Sequence, residues 1–289
     1  VQIVNTIAAV RAARQQWRES RRSVGLVPTM GALHAGHLSL VRAARARLNA
    51  EGAVAVSIFV NPTQFGPKED YASYPRTLEA DCALLEAEGV DLVFAPSVAE
   101  MYPAGGVGTV VRVGGLAERL DGASRPGHFD GVATVVAKLF HIIEPQQAFF
   151  GQKDAAQVAV LRAMVRDLNF PAELVSCPIV REPDGLAMSS RNRYLSPEDR
   201  HRARVLSSAL RTVEALADAR ETPTAALIEA ARQVIASEPP VRVDYLAAVD
   251  PLTLAPVETL QRETLFAVAA YVGTTRLIDN TILKPVQQR

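Results

Sequence analysis

The sequence predicts an α/β protein: a doubly wound parallel sheet followed by a second, smaller α+β domain. Three observations predict it. Short apolar runs alternate with longer segments of helical periodicity through roughly the first 178 residues. Several of these runs are apolar without interruption, as expected of parallel strands covered on both faces. Beyond that point the alternation gives way to two helical segments and then three strand-like segments joined by short turns.

Taken in order, Ile3, Ile7, Val10 and Trp17 fall near one helical face, which predicts a first helix before a strand at residues 24–28. Arg11, Arg14, Arg18, Arg21 and Arg22 lie in the same stretch. A basic transit peptide would look similar, but the strand that follows at once favours an ordinary helix of the fold. A helix at 35–50 carries Leu38, Val41 and Leu48 as its apolar stripe, and 53–60 (AVAVSIFV) is a second strand. A helix at 77–88 is stopped by Gly89. A strand at 90–95, a helix at 130–143, a strand at 147–150, a helix at 155–168 and a strand at 172–177 complete the half. Parallel strands need crossovers long enough to hold a helix, and right-handed crossovers make the sheet Rossmann-like. Ligands then bind at the carboxyl ends of the strands, beyond Pro28, Val60 and Phe150.

Ser196-Pro197-Glu198 has the composition of a helix start, with serine as the cap and proline at the first helical position. Helices at 200–219 and 224–237 and strands at 241–249, 264–272 and 275–283 follow. The expected division is 1–178 for the nucleotide-binding domain and 179–289 for the smaller one.

Composition narrows the classes of function. The chain has 289 residues, 48% of them hydrophobic, with 31 basic and 31 acidic side chains. The absence of a basic excess argues against a nucleic-acid partner. No run approaches the roughly 18 apolar residues of a membrane span. Cys82 and Cys177 stand far apart and fit no metal-ligand spacing, which suits a reduced, cytoplasmic protein.

Five clusters could carry chemistry. Directly after the first strand comes Thr29-Met30-Gly31-Ala32-Leu33-His34-Ala35-Gly36-His37. A helix N-terminus there offers unpaired N–H groups to phosphates. His34 and His37 share a face and could donate to a phosphate gaining charge, while Gly36 would let a base or ribose approach. Two surface histidines at a helix start would be the plainer explanation. Met188-Ser189-Ser190-Arg191-Asn192 joins hydroxyls to a guanidinium, a set that suits phosphate oxygens or simply a polar turn. In Gly151-Gln152-Lys153-Asp154, Lys153 is a counter-charge for a triphosphate; Asp154 is a ligand or a helix cap, and Gln157 lies one turn on. Asn61-Pro62-Thr63-Gln64 and Arg125-Pro126-Gly127-His128 are polar loops that turn chemistry alone could explain. At least three of these clusters follow strands of the parallel sheet, on the side where such folds bind ligands, and that coincidence is what favours a site.

Together these residues are recognisable. The segments at 28–37, 59–65, 74–77, 125–129, 188–195 and 273–280 resemble, in order and over nearly the whole chain, the pantoate–β-alanine ligase family. The first and fifth are similar to the signature motifs of nucleotidyltransferases and class I aminoacyl-tRNA synthetases. The resemblance implies ATP as a substrate with Mg2+, and pantoate and β-alanine as the other two. It implies a pantoyl-adenylate intermediate, a homodimer, and a mobile segment, roughly Gly66 to Pro75, that covers the bound intermediate. It implies catalytic roles for His34, His37, Lys153, Ser189, Ser190 and Arg191. ATP contacts would include Met30, Gly36, Gly151, Asp154 and Met188, and pantoate would meet Met30, Gln64 and Gln157. Asn61, Arg125 and His128 would line the cavity, and Asp81 would stand with the magnesium. Thr63, Gln152, Ala156 and Asp130 depart from the family pattern, but none removes a group the chemistry needs. Three rival readings are a nucleotidyltransferase with a phosphate acceptor, an aminoacyl-tRNA synthetase fragment, and a non-catalytic binding protein.

Overall fold

The structure, a computed structural model, describes residues 1–48, 51–67, 69–103, 105–217 and 222–284. The expected ends of two helices, at 49–50 and 218–219, and position 68 of the covering segment lie outside the described residues.

Six strands form the first sheet: β1 (Gln2–Val4), β2 (Val24–Thr29), β3 (Ala53–Ile58), β4 (Leu92–Phe94), β5 (Gln147–Gly151) and β6 (Glu173–Cys177). Their order is β1-β4-β3-β2-β5-β6, and every neighbouring pair is parallel. The connecting helices are α1 (Ile7–Glu19), α2 (Ala35–Leu48), α3 (Leu78–Ala87), α4 (Val98–Met101), α5 (Asp121–Ser124), α6 (His128–Ile143) and α7 (Ala155–Asp167). The chain winds outward from β2 through β3 to β4, then returns to start β5 on the other side of β2. The strand order therefore reverses between β2 and β5, which is where such sheets open a ligand crevice.

The uninterrupted apolar runs behave as expected of doubly covered strands: the first four residues of β2 and the first five of β3 are buried. Separate clusters of buried side chains lie on the two faces, one around α1, α6 and α7, the other around α2 and α3. The first helix is narrower than its sequence suggested. Thr6 caps it by accepting from the Ala9 N–H, and Val10, Ala13 and Trp17 form its buried face. Ile3 belongs instead to β1, where its side chain is exposed. The single-turn helices α4 and α5 were not expected, because one turn is too short to show periodicity.

Past β6 come α8 (Pro197–Leu216) and α9 (Thr224–Ile235), then β7 (Val241–Val249), β8 (Thr264–Val272) and β9 (Thr275–Leu283) in one antiparallel sheet. The Ser196 hydroxyl caps α8 by accepting from the Asp199 N–H. The middle strand β8 is buried on both faces by strict alternation. Phe266, Val268, Ala270 and Val272 pack with α8 and α9. Leu265 and Ala267 face the other way, into the core of the first sheet's body. Among the described residues, no helix is long and apolar enough to cross a membrane.

Candidate active site

The loops that follow β2 and β5 lie on either side of the reversal in strand order. The β2 loop runs through Met30 to His34 and enters α2; the β5 loop is a 3-10 turn at Gln152–Asp154 that enters α7. Hydrogen bonds build the first of these. The Asp81 carboxylate, on α3, accepts from the backbone N–H of Ala32 at 2.9 Å and of Leu33 at 2.8 Å, and from the Thr77 hydroxyl at 3.2 Å. Ala32 sits at φ 51°, a left-handed conformation that disfavours any residue with a Cβ. The carboxylate holds this strained turn in place. Asp81 is only 2% exposed and both its oxygens are engaged. It is thus built into the wall behind the histidine loop.

The helix start is completed by the histidines themselves. Gly36 N–H donates to His34 Nδ1 at 3.2 Å, and His34 N–H donates to His37 Nδ1 at 3.4 Å. A ring nitrogen that accepts carries no proton, so in both rings the proton sits on Nε2, which is left as a donor. The rings lie 4.1 Å apart. Burial, reinforced by the Lys153 charge, lowers the His34 pKa to about 4; burial, then the neighbouring His34, lowers that of His37 to about 3. Both are therefore neutral N–H donors at physiological pH, a pair of dipoles with no cationic charge. Gly36 serves this arrangement directly. A Cβ there would come within 2.9 Å of the His34 ring, so the space it leaves is filled by that imidazole.

Cationic charge comes from elsewhere in the crevice. Among the described residues, Lys153 makes only a long 3.7 Å contact with Asp154. Asp154 stands at the N-terminus of α7 but makes no capping hydrogen bond, so the helix-cap alternative is not realised. Arg191 is gripped on two sides by Asp70, Nε to Oδ2 at 3.0 Å and Nη2 to Oδ1 at 2.9 Å. Tyr74 shares a 3.0 Å hydroxyl contact with Ser190, and Arg125 Nε donates to Glu69 at 2.7 Å. The stretch that carries Glu69, Asp70 and Tyr74 is thus docked on the serine–arginine loop through Asp70 and Tyr74, and on the Arg125 loop through Glu69. Sequence reasoning missed Glu69 and Asp70 as partners of these arginines, because two acids after a Gly-Pro turn read as solvated surface.

The polar floor comes from the loop after β3. The Asn61 amide donates to Gln64 Oε1 at 3.1 Å and to the Gly131 carbonyl at 3.2 Å, while Tyr102 donates to its oxygen at 2.9 Å. Gln64 Nε2 lies 3.2 Å from the Met30 sulfur. Helix α6 reaches this loop only because residue 131 is glycine: a Cβ there would sit 2.3 Å from the Thr63 carbonyl oxygen. His128 Nδ1 is 2.7 Å from the Gln64 carbonyl, and burial followed by the Arg125 charge lowers its pKa to about 4. Asn61 and His128 thus hold Gln64.

A cavity of about 1060 Å³ runs between the ends of the first sheet and the second domain, with Gln64, Gln157, Arg125 and His128 in its wall. A smaller recess of about 160 Å³ is lined by Met30, His34, Gly36, His37, Gly151 and Met188, among others. The two share Lys153, Asp154, Gln157, Ser189 and Arg191. The sequence-predicted residues therefore converge on one crevice, with two exceptions. Asn61 lies beneath it, 1% exposed, and Asp81 stands behind the histidine loop. Among the described residues no three His, Cys, Asp or Glu side chains cluster to hold a metal ion.

Neutral donors at a helix start, a lysine and an arginine on facing loops, and a pair of amides define a class: an enzyme that handles a polyphosphate nucleotide beside a small polar acid. Comparison with known proteins makes this particular. The pattern of the pantoate-beta-alanine ligase family matches residues 2–282. A pantothenate synthetase of Acidobacterium capsulatum is 63% identical, over 96% of this chain and 95% of that protein. The crystal structure of pantothenate synthetase from Thermus thermophilus superposes with a TM-score of 0.91 at 50% identity, covering 99% of this chain and all of that one. The Francisella tularensis pantoate-beta-alanine ligase, complexed with beta-gamma ATP and beta-alanine, gives a TM-score of 0.80 at 32% identity, covering 98% of this chain and 97% of that one. The chain belongs to the pantoate-beta-alanine ligase family.

Proposed function

We propose that this protein joins pantoate to β-alanine with consumption of ATP, by way of pantoyl adenylate. In the first step a pantoate carboxylate oxygen attacks the α-phosphorus. The bond from that phosphorus to the bridging oxygen breaks, and pyrophosphate leaves. In the second, the neutral amine of β-alanine attacks the acyl carbon of the mixed anhydride. The amide forms, AMP departs, and the nitrogen gives up a proton.

The observation that carries this reading is the shared wall of the two cavities, where Lys153, Gln157, Ser189 and Arg191 line both the histidine recess and the larger cavity that holds Gln64. Negative charge gathers on phosphate oxygens as the first bond breaks. His34 and His37, as Nε2–H donors, and Lys153, as a cation, would stabilise that charge more in the transition state than in bound ATP. Gln64 and Gln157 would hold the hydroxyls and carboxylate of pantoate. The segment around Tyr74, held on the Ser190 hydroxyl, would keep water from the anhydride. Magnesium enters as part of the nucleotide substrate. It prefers water and phosphate oxygens to an all-protein cage, and the Asp81 oxygens are already engaged. A homodimer, as the family resemblance implies, and a cytoplasmic setting, which two buried free thiols would suit, belong to the same proposal.

Exchange of labelled pyrophosphate into ATP tests it. Exchange should need pantoate and proceed without β-alanine, and His37→Ala should suppress it strongly. Supplied with preformed pantoyl adenylate, the same variant should lose less in the second step. Exchange that appears only with β-alanine bound would refute the stepwise route.

A further inference from the structure

Two adjacent buried residues of β9, Asp279 and Asn280, each 3% exposed, tie the second domain to both phosphate-facing loops. Asn280 uses both hydrogens of its side-chain amide on consecutive carbonyls of the Lys153 loop, Gln152 at 3.0 Å and Lys153 at 2.9 Å. Its oxygen faces the Gln152 amide nitrogen at 3.4 Å. One planar group thereby fixes both the position and the rotation of the peptide that carries Lys153. Asp279 takes Arg181 in a two-point ion pair at 2.6 and 3.0 Å. Arg181 pairs across a short antiparallel bridge with Ala187, and Met188 N–H returns to the Val180 carbonyl at 2.9 Å. That return arm leads straight into Ser189, Ser190 and Arg191.

The Lys153 turn and the serine–arginine loop are separated in the chain by a helix and a strand, α7 and β6. Neighbouring residues on one strand hold both. We propose that Asn280 is a positioning residue for adenylate formation, setting the reach of Lys153, and that Asp279 fixes the serine–arginine loop against it. This rests on the reading that Lys153 acts on the ATP phosphates. The reason to expect a catalytic consequence is geometric: a displacement of about 1 Å at a charge-stabilising group can cost about a hundredfold in rate.

The test is a double-mutant cycle on pyrophosphate exchange, with thermal unfolding followed in parallel. Asn280→Ala should lower kcat for exchange by at least about tenfold and leave KM for pantoate within about threefold, the pattern of a lost transition-state contact. Asn280→Ser keeps a single donor and should fall between; it also serves if the alanine variant does not fold. Added to Lys153→Ala, either change should cost less than about twofold more, because the residue it positions is gone. Two results overturn the inference alone: an unchanged kcat with lowered thermal stability, or an undiminished loss in the Lys153→Ala background. A Lys153→Ala variant that exchanges normally would overturn the assignment of Lys153, and the inference with it.

Discussion

Asp81 separates two accounts of the same carboxylate. As a magnesium-associated group, its removal would leave the fold intact and raise the metal requirement. As the clamp of the histidine loop, its removal strips the acceptor from two buried backbone amides, on Ala32 and Leu33, while Ala32 stays in a left-handed conformation. A buried N–H left without a partner costs about 1–3 kcal/mol. Two of them, less what local relaxation recovers, put Asp81→Ala at about 3 kcal/mol. At about 2–4 °C per kcal/mol for a chain of this order of size, the unfolding midpoint should fall by about 6–12 °C. Asp81→Asn, which keeps one acceptor oxygen, should lose about half as much. Activity should fall too, since the same amides shape the approach to His34 and His37. The assay is thermal unfolding by circular dichroism, paired with pyrophosphate exchange titrated with magnesium. Half-saturation by magnesium should stay within about twofold of the parent, because on this account the substrate phosphates hold the ion. A normal midpoint with a severalfold higher magnesium requirement would refute the clamp.

The remaining predictions concern charge. Arg191 cannot serve phosphate and Asp70 with the same N–H groups, so Asp70→Asn should lower KM for ATP. A partly buried two-point pair of about 1 kcal/mol corresponds to about fivefold; a raised KM would show that Asp70 assists binding. His34, His37 and His128 have folded pKa values of about 4, 3 and 4, below the ordinary 6.5. Between those values and 6.5 the unfolded chain binds protons that the folded one does not. Their contribution to stability is therefore complete above about pH 6.5 and declines as pH falls through the window. Denaturant midpoints should drop from about pH 7.5 to about pH 5, and less steeply in the His34→Gln, His37→Gln variant; equal slopes would contradict the assignment. Glu69 and Asp70, whose arginine partners hold them below the ordinary carboxylate range, add their loss only at lower pH. Cys82→Ser with Cys177→Ser should keep turnover within a few-fold of the parent, since both thiols are buried. A folded but inactive double variant would mean that a thiol takes part.

The parts legible in the sequence are those written in local pattern. The apolar runs of β2 and β3, the cap at Ser196 and the three C-terminal strands each follow from neighbours in the chain. So does the placement of His34 and Lys153 on loops that follow strands of the sheet. Two kinds of feature were hidden. Single-turn helices such as α5 carry too few residues for a period. The other kind is set by long-range pairing: Asp81 with Ala32, Asp70 with Arg191, Asn280 with Lys153. In each of these, the residue becomes buried or half-buried because a distant segment supplies its partner.

The same distinction explains how the crevice is charged. The groups visible as motifs are the ones a substrate would meet, and standing alone they would be an unbalanced cluster of cations. The structure balances the two arginines with carboxylates from the covering segment, Arg125 with Glu69 and Arg191 with Asp70. It makes the histidines neutral by burial. Among the described residues Lys153 keeps only a long contact with Asp154, and it stays the most available positive charge in the shared wall. A crevice arranged this way does not carry the self-repulsion that a set of bare cations would impose. Its counter-ions sit on a docked segment of the chain, so an arriving polyanion can replace them without disturbing the core. Asp81 and Asn280 are arranged differently. They are buried, they hold backbone groups, and their partners are the loops themselves, so they set where the charges stand.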